Sequence, residues 1–163
     1  NGATNVVMPN IATNPNGLVI ITDMPRTDDD LSGKILSGPA GEMIDKMLNA
    51  IDMGRDSVSI IPLVFLRTPG ERTPSRAELD LIRPFIDKML EILKPKIVIA
   101  LGTLETAEIG KTNLNANHDT QINTDDGYVV VPMFHPNYLI LKPSAKREVW
   151  VALQNVQKML KNP

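Results

Sequence analysis

A chain of 163 residues fits one domain, expected over residues 1–163, and is long enough to bury a sizeable core. With 42% hydrophobic and 22% charged residues, and no apolar run near the roughly 20 residues that span a bilayer, membrane insertion is excluded and no membrane partner is expected. The complete lack of cysteine excludes disulfides, thiol catalysis and cysteine-ligated metal centres, and a net charge of −2 argues against a general polyanion binder.

The absence of cysteine predicts a cytoplasmic protein, and the start, Asn1-Gly2-Ala3-Thr4-Asn5, has neither an initiating Met nor a signal pattern, so residues upstream are expected. Turn formers from Asn10 to Gly17 precede Leu18-Val19-Ile20-Ile21, a short β-branched run that predicts a buried strand. After Gly38-Pro39-Ala40-Gly41, apolar Met43, Ile44, Met47, Leu48 and Ile51 recur at helical spacing up to Gly54, with the Met residues read as core filler. Val58 to Leu66 predicts a second strand, closed by Thr68-Pro69-Gly70. Ser75 with Glu78 marks a helix start, and the helix should run to Leu93 in two segments, because Pro84 removes a backbone N–H.

Ile97 to Leu101 predicts a third strand, followed by Gly102-Thr103, where Thr103 can cap a helix toward Ile109. Phosphates favour such strand-to-helix turns. The polar stretch Lys111 to Asp126 reads as a loop or irregular hairpin. Tyr128 to Met133 predicts a fourth strand, and Ser144 opens a last helix with Val149, Trp150, Leu153, Val156, Met159 and Leu160 at core spacing. Alternating strands and helices imply an α/β protein: a three-layer α/β/α arrangement with a central four-stranded, mostly parallel sheet and ligand sites at the carboxyl ends of its strands.

Three loops leave strand ends with chemically useful content: Thr22 to Arg26, Arg67 to Arg72, and Phe134 to Leu139. His135 follows a strand and precedes a stiffening Pro, so its ring is presented at the end of the sheet either for chemistry or as a structural hydrogen-bonding group. Asp23 has the same two readings, capping a turn or activating water. The acid run Asp28-Asp29-Asp30 and the single distant pair His118 and His135 offer no metal-ligand spacing, so no metal is expected. Serine-hydrolase signatures and glycine-rich nucleotide loops are missing.

Met133 to Trp150, which contains His135-Pro136-Asn137-Tyr138-Leu139, resembles the His-Pro motif and last-helix start of the family 4 uracil-DNA glycosylases. Asp30, Gly33, Gly38, Ala40 and Gly41 match the segment after that family's first strand. Arg67, Pro69, Gly70, Arg72, Thr73 and Pro74 match the segment after its second, and the order agrees over nearly the whole chain. The resemblance implies a uracil-DNA glycosylase-like fold acting on DNA. The family's chemistry is to swing a base out of the stack and break its N-glycosidic bond. It implies that His135 donates to the base oxygen and Asp23 holds the attacking water, both as catalytic residues. Met24, Pro25, Leu36 and Pro62 fall at base-pocket positions, with Arg67, Arg72, Gly102, Thr103, Asn137, Lys142, Lys146 and Arg147 as DNA contacts and Leu139 as a wedge into the vacated stack.

The departures from the family pattern have equal weight. The first motif, Gly-Glu-x-Pro-Gly, reads Thr22-Asp23-Met24-Pro25-Arg26 here, so two glycines that permit close backbone approach are gone. Leu36 replaces an aromatic residue that stacks on uracil, and Pro62 replaces an Asn that reads its edge. The family's two internal cluster cysteines align near Leu66 and Ile82, where apolar packing is expected instead, and no cofactor is expected. The resulting expectation is a monomeric, divergent, DNA-binding protein with weak, altered or lost base excision. The alternative is a non-enzymatic nucleic-acid or protein interaction module on the same fold. A weaker third reading is a small-molecule hydrolase using Asp23 and His135.

Overall fold

The structure, a computed structural model, describes residues 2–162. The Leu18–Thr22 strand (β1) is followed by helices Thr27–Ser32 (α1) and Pro39–Ala50 (α2), then by strand Ser59–Pro62 (β2) and helix Arg76–Leu93 (α3). Strand Ile97–Leu101 (β3) leads to short helices Thr103–Ile109 (α4) and Leu114–Asn117 (α5). Strands Ile122–Asn123 (β4) and Val129–Met133 (β5) precede helices Pro136–Leu141 (α6) and Lys146–Lys161 (α7).

The sheet order is β2-β1-β3-β5-β4. β1 pairs parallel with β2 and β3, β3 pairs parallel with β5, and β4 alone is antiparallel. Successive strand residues point to opposite faces, and the core divides accordingly. Leu18, Ile20, Ile60, Ile99 and Val131 pack with Ile44, Leu48, Val149 and Leu153 of α2 and α7. Val19, Ile21, Ile61, Val98 and Val130 pack with Leu79, Ile86 and Leu90 of α3. Both sheet faces are thus covered, which is why these strands read as continuous apolar runs.

The sheet has five strands, not four. The extra one lies in the polar Lys111–Asp126 stretch, where Ile122 and Asn123 pair with Val130 and Val129. Two residues carry no periodicity to read. The run from Val58 to Leu66 also yields only a four-residue strand. β2 is an edge strand ending at Pro62, a position that tolerates a missing N–H. There the chain turns inward, and the Leu63 N–H donates to the Thr22 and Asp23 carbonyls.

α3 is one helix of 18 residues rather than two segments. Pro84 lies on its exposed face, so water can serve the carbonyl its ring leaves unbonded. The Ser75 hydroxyl accepts from the Glu78 N–H as expected, but the Glu78 carboxylate turns to the Ser75 hydroxyl and Arg72 instead of reaching back to the Ser75 N–H. Gly102, not Thr103, caps α4, at a φ of 132° that favours glycine. Trp150 is 41% exposed rather than in the core, while Val149, Leu153 and Val156 are buried. Among the described residues no helix is long and apolar enough to cross a membrane.

Candidate active site at the ends of β1 and β5

The carboxyl ends of β1 and β5 lie one strand apart, on either side of β3, and both deliver polar side chains to the same cavity. His135 caps α6, and its Nδ1 accepts the Asn137 N–H at 3.1 Å. That bond leaves the proton of the neutral imidazole on Nε2, which lies 3.3 Å from Thr22 Oγ1 and 3.8 Å from Asp23 Oδ1. Burial holds the His135 pKa below 6.5 despite the pull of Asp23, so the ring is neutral at pH 7.

Asp23 follows β1 directly and is held on three sides. Its Oδ1 accepts the Met24 N–H at 2.7 Å and Arg26 Nη1 at 3.1 Å, and Oδ2 accepts Arg26 Nη2 at 2.9 Å. Burial alone would raise its pKa, but the Arg26 hydrogen bonds, His135 and the Met24 N–H together lower it. The carboxylate is therefore ionised, a weak base, and its charge is neutralised by a two-point guanidinium pair.

The cavity beside this pair is about 270 Å³ and is walled by Met24, Arg26, Leu36, Gly41, His135 and Asn137, with Asp28, Asp29 and Glu71 at its acidic side. Leu36 reaches it from a left-handed backbone, φ 52°, and its carbonyl accepts from Arg55. Gly41 packs so close that an added Cβ would lie 1.7 Å from that carbonyl. Asp23, Pro25 and Pro62 do not line the cavity. Pro25 and Pro62 are buried, and Arg26, which pairs with Asp23, lines the space whereas Asp23 does not.

The candidate DNA contacts divide sharply. Lys142, Lys146 and Arg147 are exposed and make no ion pair among the described residues. Arg67 instead pairs with buried Asp30 at 3.4 Å and donates to the Gly2 carbonyl, and Arg72 pairs with Glu78 at 2.6 Å. Both serve local structure. Leu139 is 1% exposed, locked into the α2/α7 side of the core, and cannot reach a base stack. A residue on the inner face of a six-residue helix is hidden, whereas Leu141 at its end is 85% exposed. Gly102 and Thr103 sit at the end of β3, but Gly102 is backed by the Glu105 carboxyl, which would approach a Cβ there to 2.6 Å.

Arg26 and Glu105 are the groups that sequence reasoning passed over. Glu105 is 1% exposed with Oε2 unpaired, and burial followed by repulsion from Asp23 pushes its pKa well above 4.5. Arg26 could be read as a lost glycine but not as a partner for Asp23. The i,i+3 spacing was the one available signal.

The uracil DNA glycosylase superfamily model matches residues 9–155. The chain belongs to this superfamily. It is similar to the type-4 uracil-DNA glycosylase of Sulfurisphaera tokodaii, at 26% identity over 80% of this chain and 64% of that enzyme. The type-4 enzyme of Archaeoglobus fulgidus is 26% identical over 89% of this chain and 77% of its own length. A third similarity is to the DNA polymerase of Bacillus phage SP01, 23% over 77% of this chain but only 14% of the polymerase. The aligned part thus spans just under two thirds of the Sulfurisphaera enzyme.

The type-4 resemblance implies an iron–sulfur cluster, and these residues do not fit one. There is no cysteine to supply thiolates. Of the two positions aligned with cluster ligands, Ile82 is partly buried against the α3 side of the core, but Leu66 is 51% exposed rather than packed in place of a cluster.

Proposed function

We propose that this protein binds DNA and receives a flipped-out base in the cavity between Arg26, Leu36 and His135, with uracil excision weak at most. The observation that carries this reading is the two-point Arg26–Asp23 pair. Glycosidic cleavage builds positive charge on the sugar and negative charge on the departing base. A neutral His135 with its proton on Nε2 suits the base end of that charge separation. An Asp23 already neutralised by Arg26 is poorly suited to the sugar end. Leu36 offers no aromatic face, and the one amide residue lining the cavity is Asn137 from α6, while Pro62 occupies the position where the family's Asn reads the uracil edge. A site built to hydrogen-bond the polar edge of its substrate discriminates by a factor on the order of 10⁴, and the Pro62 side chain offers no such bond.

Leu141, beside Lys142, Lys146 and Arg147, is the apolar side chain placed to enter a stack in place of Leu139. The reading predicts DNA binding that depends on these residues, and slow base release lost in His135→Ala. An excision panel at enzyme excess over uracil-, hypoxanthine- and xanthine-containing strands tests it. No release from any strand would remove the enzymatic half. The phage polymerase similarity favours one alternative, a non-catalytic DNA-binding unit within a larger replication protein, in which salt-sensitive binding persists and release is absent.

A further inference from the structure

Arg26 holds Asp23 with one edge of its guanidinium and leaves another edge unused. Nη1 and Nη2 face the carboxylate, and the second hydrogen of Nη1 goes to the Met24 carbonyl at 2.8 Å. These bonds use three of the five N–H groups a guanidinium carries in its rigid fork. Nε–H and the outer Nη2–H, which are parallel neighbours, have no acceptor among the described residues. The side chain is 27% exposed and lines the cavity with Leu36 and His135.

A guanidinium plane fixed by a carboxylate, with two free parallel donors, reads two adjacent acceptors. Phosphate and carboxylate have that geometry, but Asp28, Asp29 and Glu71 line the same cavity and oppose an anion. Among neutral bases, 6-oxopurines present O6 and N7 side by side. Uracil does not, because N3–H separates its two carbonyls. Adenine pairs its N7 acceptor with an amino donor. Building on the base-pocket reading above, we propose that Arg26 is a specificity-determining residue that reads the O6/N7 edge of a flipped-out 6-oxopurine, hypoxanthine first among the damaged forms.

Guanine shares this edge, but a mispaired hypoxanthine costs less to extrude from a duplex than a paired guanine. In excision the C1′–N9 bond breaks and its electron pair leaves on the base. Water gives its oxygen to C1′ with one hydrogen, and its other proton goes to the base. Donors on O6 and N7 stabilise the ring as it takes up that pair.

The test is equilibrium binding of one single-stranded sequence carrying hypoxanthine, 7-deazahypoxanthine or uracil at a central position, to wild type and Arg26→Lys, with thermal melts to verify folding. Wild type should prefer hypoxanthine over its 7-deaza analogue by about tenfold. Arg26→Lys, which keeps the charge and loses the fork, should bind the two equally. Equal binding by wild type, a preference surviving in Arg26→Lys, or no binding of any strand overturns the proposal. Binding without preference overturns the Arg26 assignment and leaves the base pocket standing. Preference without any base release supports the assignment and removes excision from the function.

Discussion

Asp23, Arg26, His135 and Glu105 place four titratable groups at the strand ends, and their protonation states carry opposite pH signatures. His135 and His118 both have pKa values lowered by burial, so the folded protein resists protons that the unfolded chain takes up. Stability from these two is present above 6.5 and falls as pH drops below it. Glu105 has the reverse sign. Its raised pKa means the folded state keeps a proton that the unfolded chain releases, so stability falls as pH rises above 4.5. Glu105→Gln, neutral at every pH, should raise the melting temperature at pH 7 more than at pH 4, by about 2–4 °C per kcal/mol recovered. Equal melting shifts at both pH values would contradict the buried-acid assignment. His135 itself should show an NMR titration midpoint below 6.5, moved in Asp23→Asn.

His135 and Asp23 could be named as candidates from the sequence because each follows an apolar run, and His135 directly precedes a stiffening Pro. The charge partner of Asp23 could not. An Arg three residues on is read first as a solvated loop charge, and only the chain path after β1 folds it back onto the carboxylate.

At the scale of elements, the α1–α2 connection determines what faces the cavity. Asp29 accepts the Ser37 N–H, Arg55 donates to the Ile35 carbonyl at 2.8 Å, and Gly41 leaves room for Leu36. Gly41→Ala should cost about 3 kcal/mol or more, since the new methyl meets backbone that cannot move away cheaply. A denaturant midpoint near wild type would contradict that packing. Asp30 anchors the opposite side of α1: it accepts the Thr4 and Asn5 N–H groups and pairs with Arg67. Asp30→Asn should lower the melting temperature and make the first ten residues sensitive to limited proteolysis. Strand and helix order could be read from periodicity and punctuation, whereas β4 and the unbroken α3 could not. The first is set by its neighbour β5, and the second by Pro84 facing solvent.

Across the whole molecule, a net charge of −2 argues against a general polyanion surface, so the proposed DNA contact is assigned to the exposed Lys142, Lys146 and Arg147. Lys146→Ala with Arg147→Ala should reduce the slope of log K against log salt by about 1–2 on DNA, while Arg67→Ala should act through stability instead. Superfamily membership rests on the match over residues 9–155, and Asp23, the carboxylate that the family resemblance points to as the water-holding group, is engaged by Arg26. The most direct test is single-turnover uracil release from a single-stranded oligonucleotide by wild type, Arg26→Gly and a type-4 enzyme side by side. The account predicts wild type at least about 10³-fold slower than the type-4 enzyme, with folded Arg26→Gly faster than wild type because Asp23 is freed. Wild-type release at the type-4 rate, or a folded Arg26→Gly no faster than wild type, would contradict it.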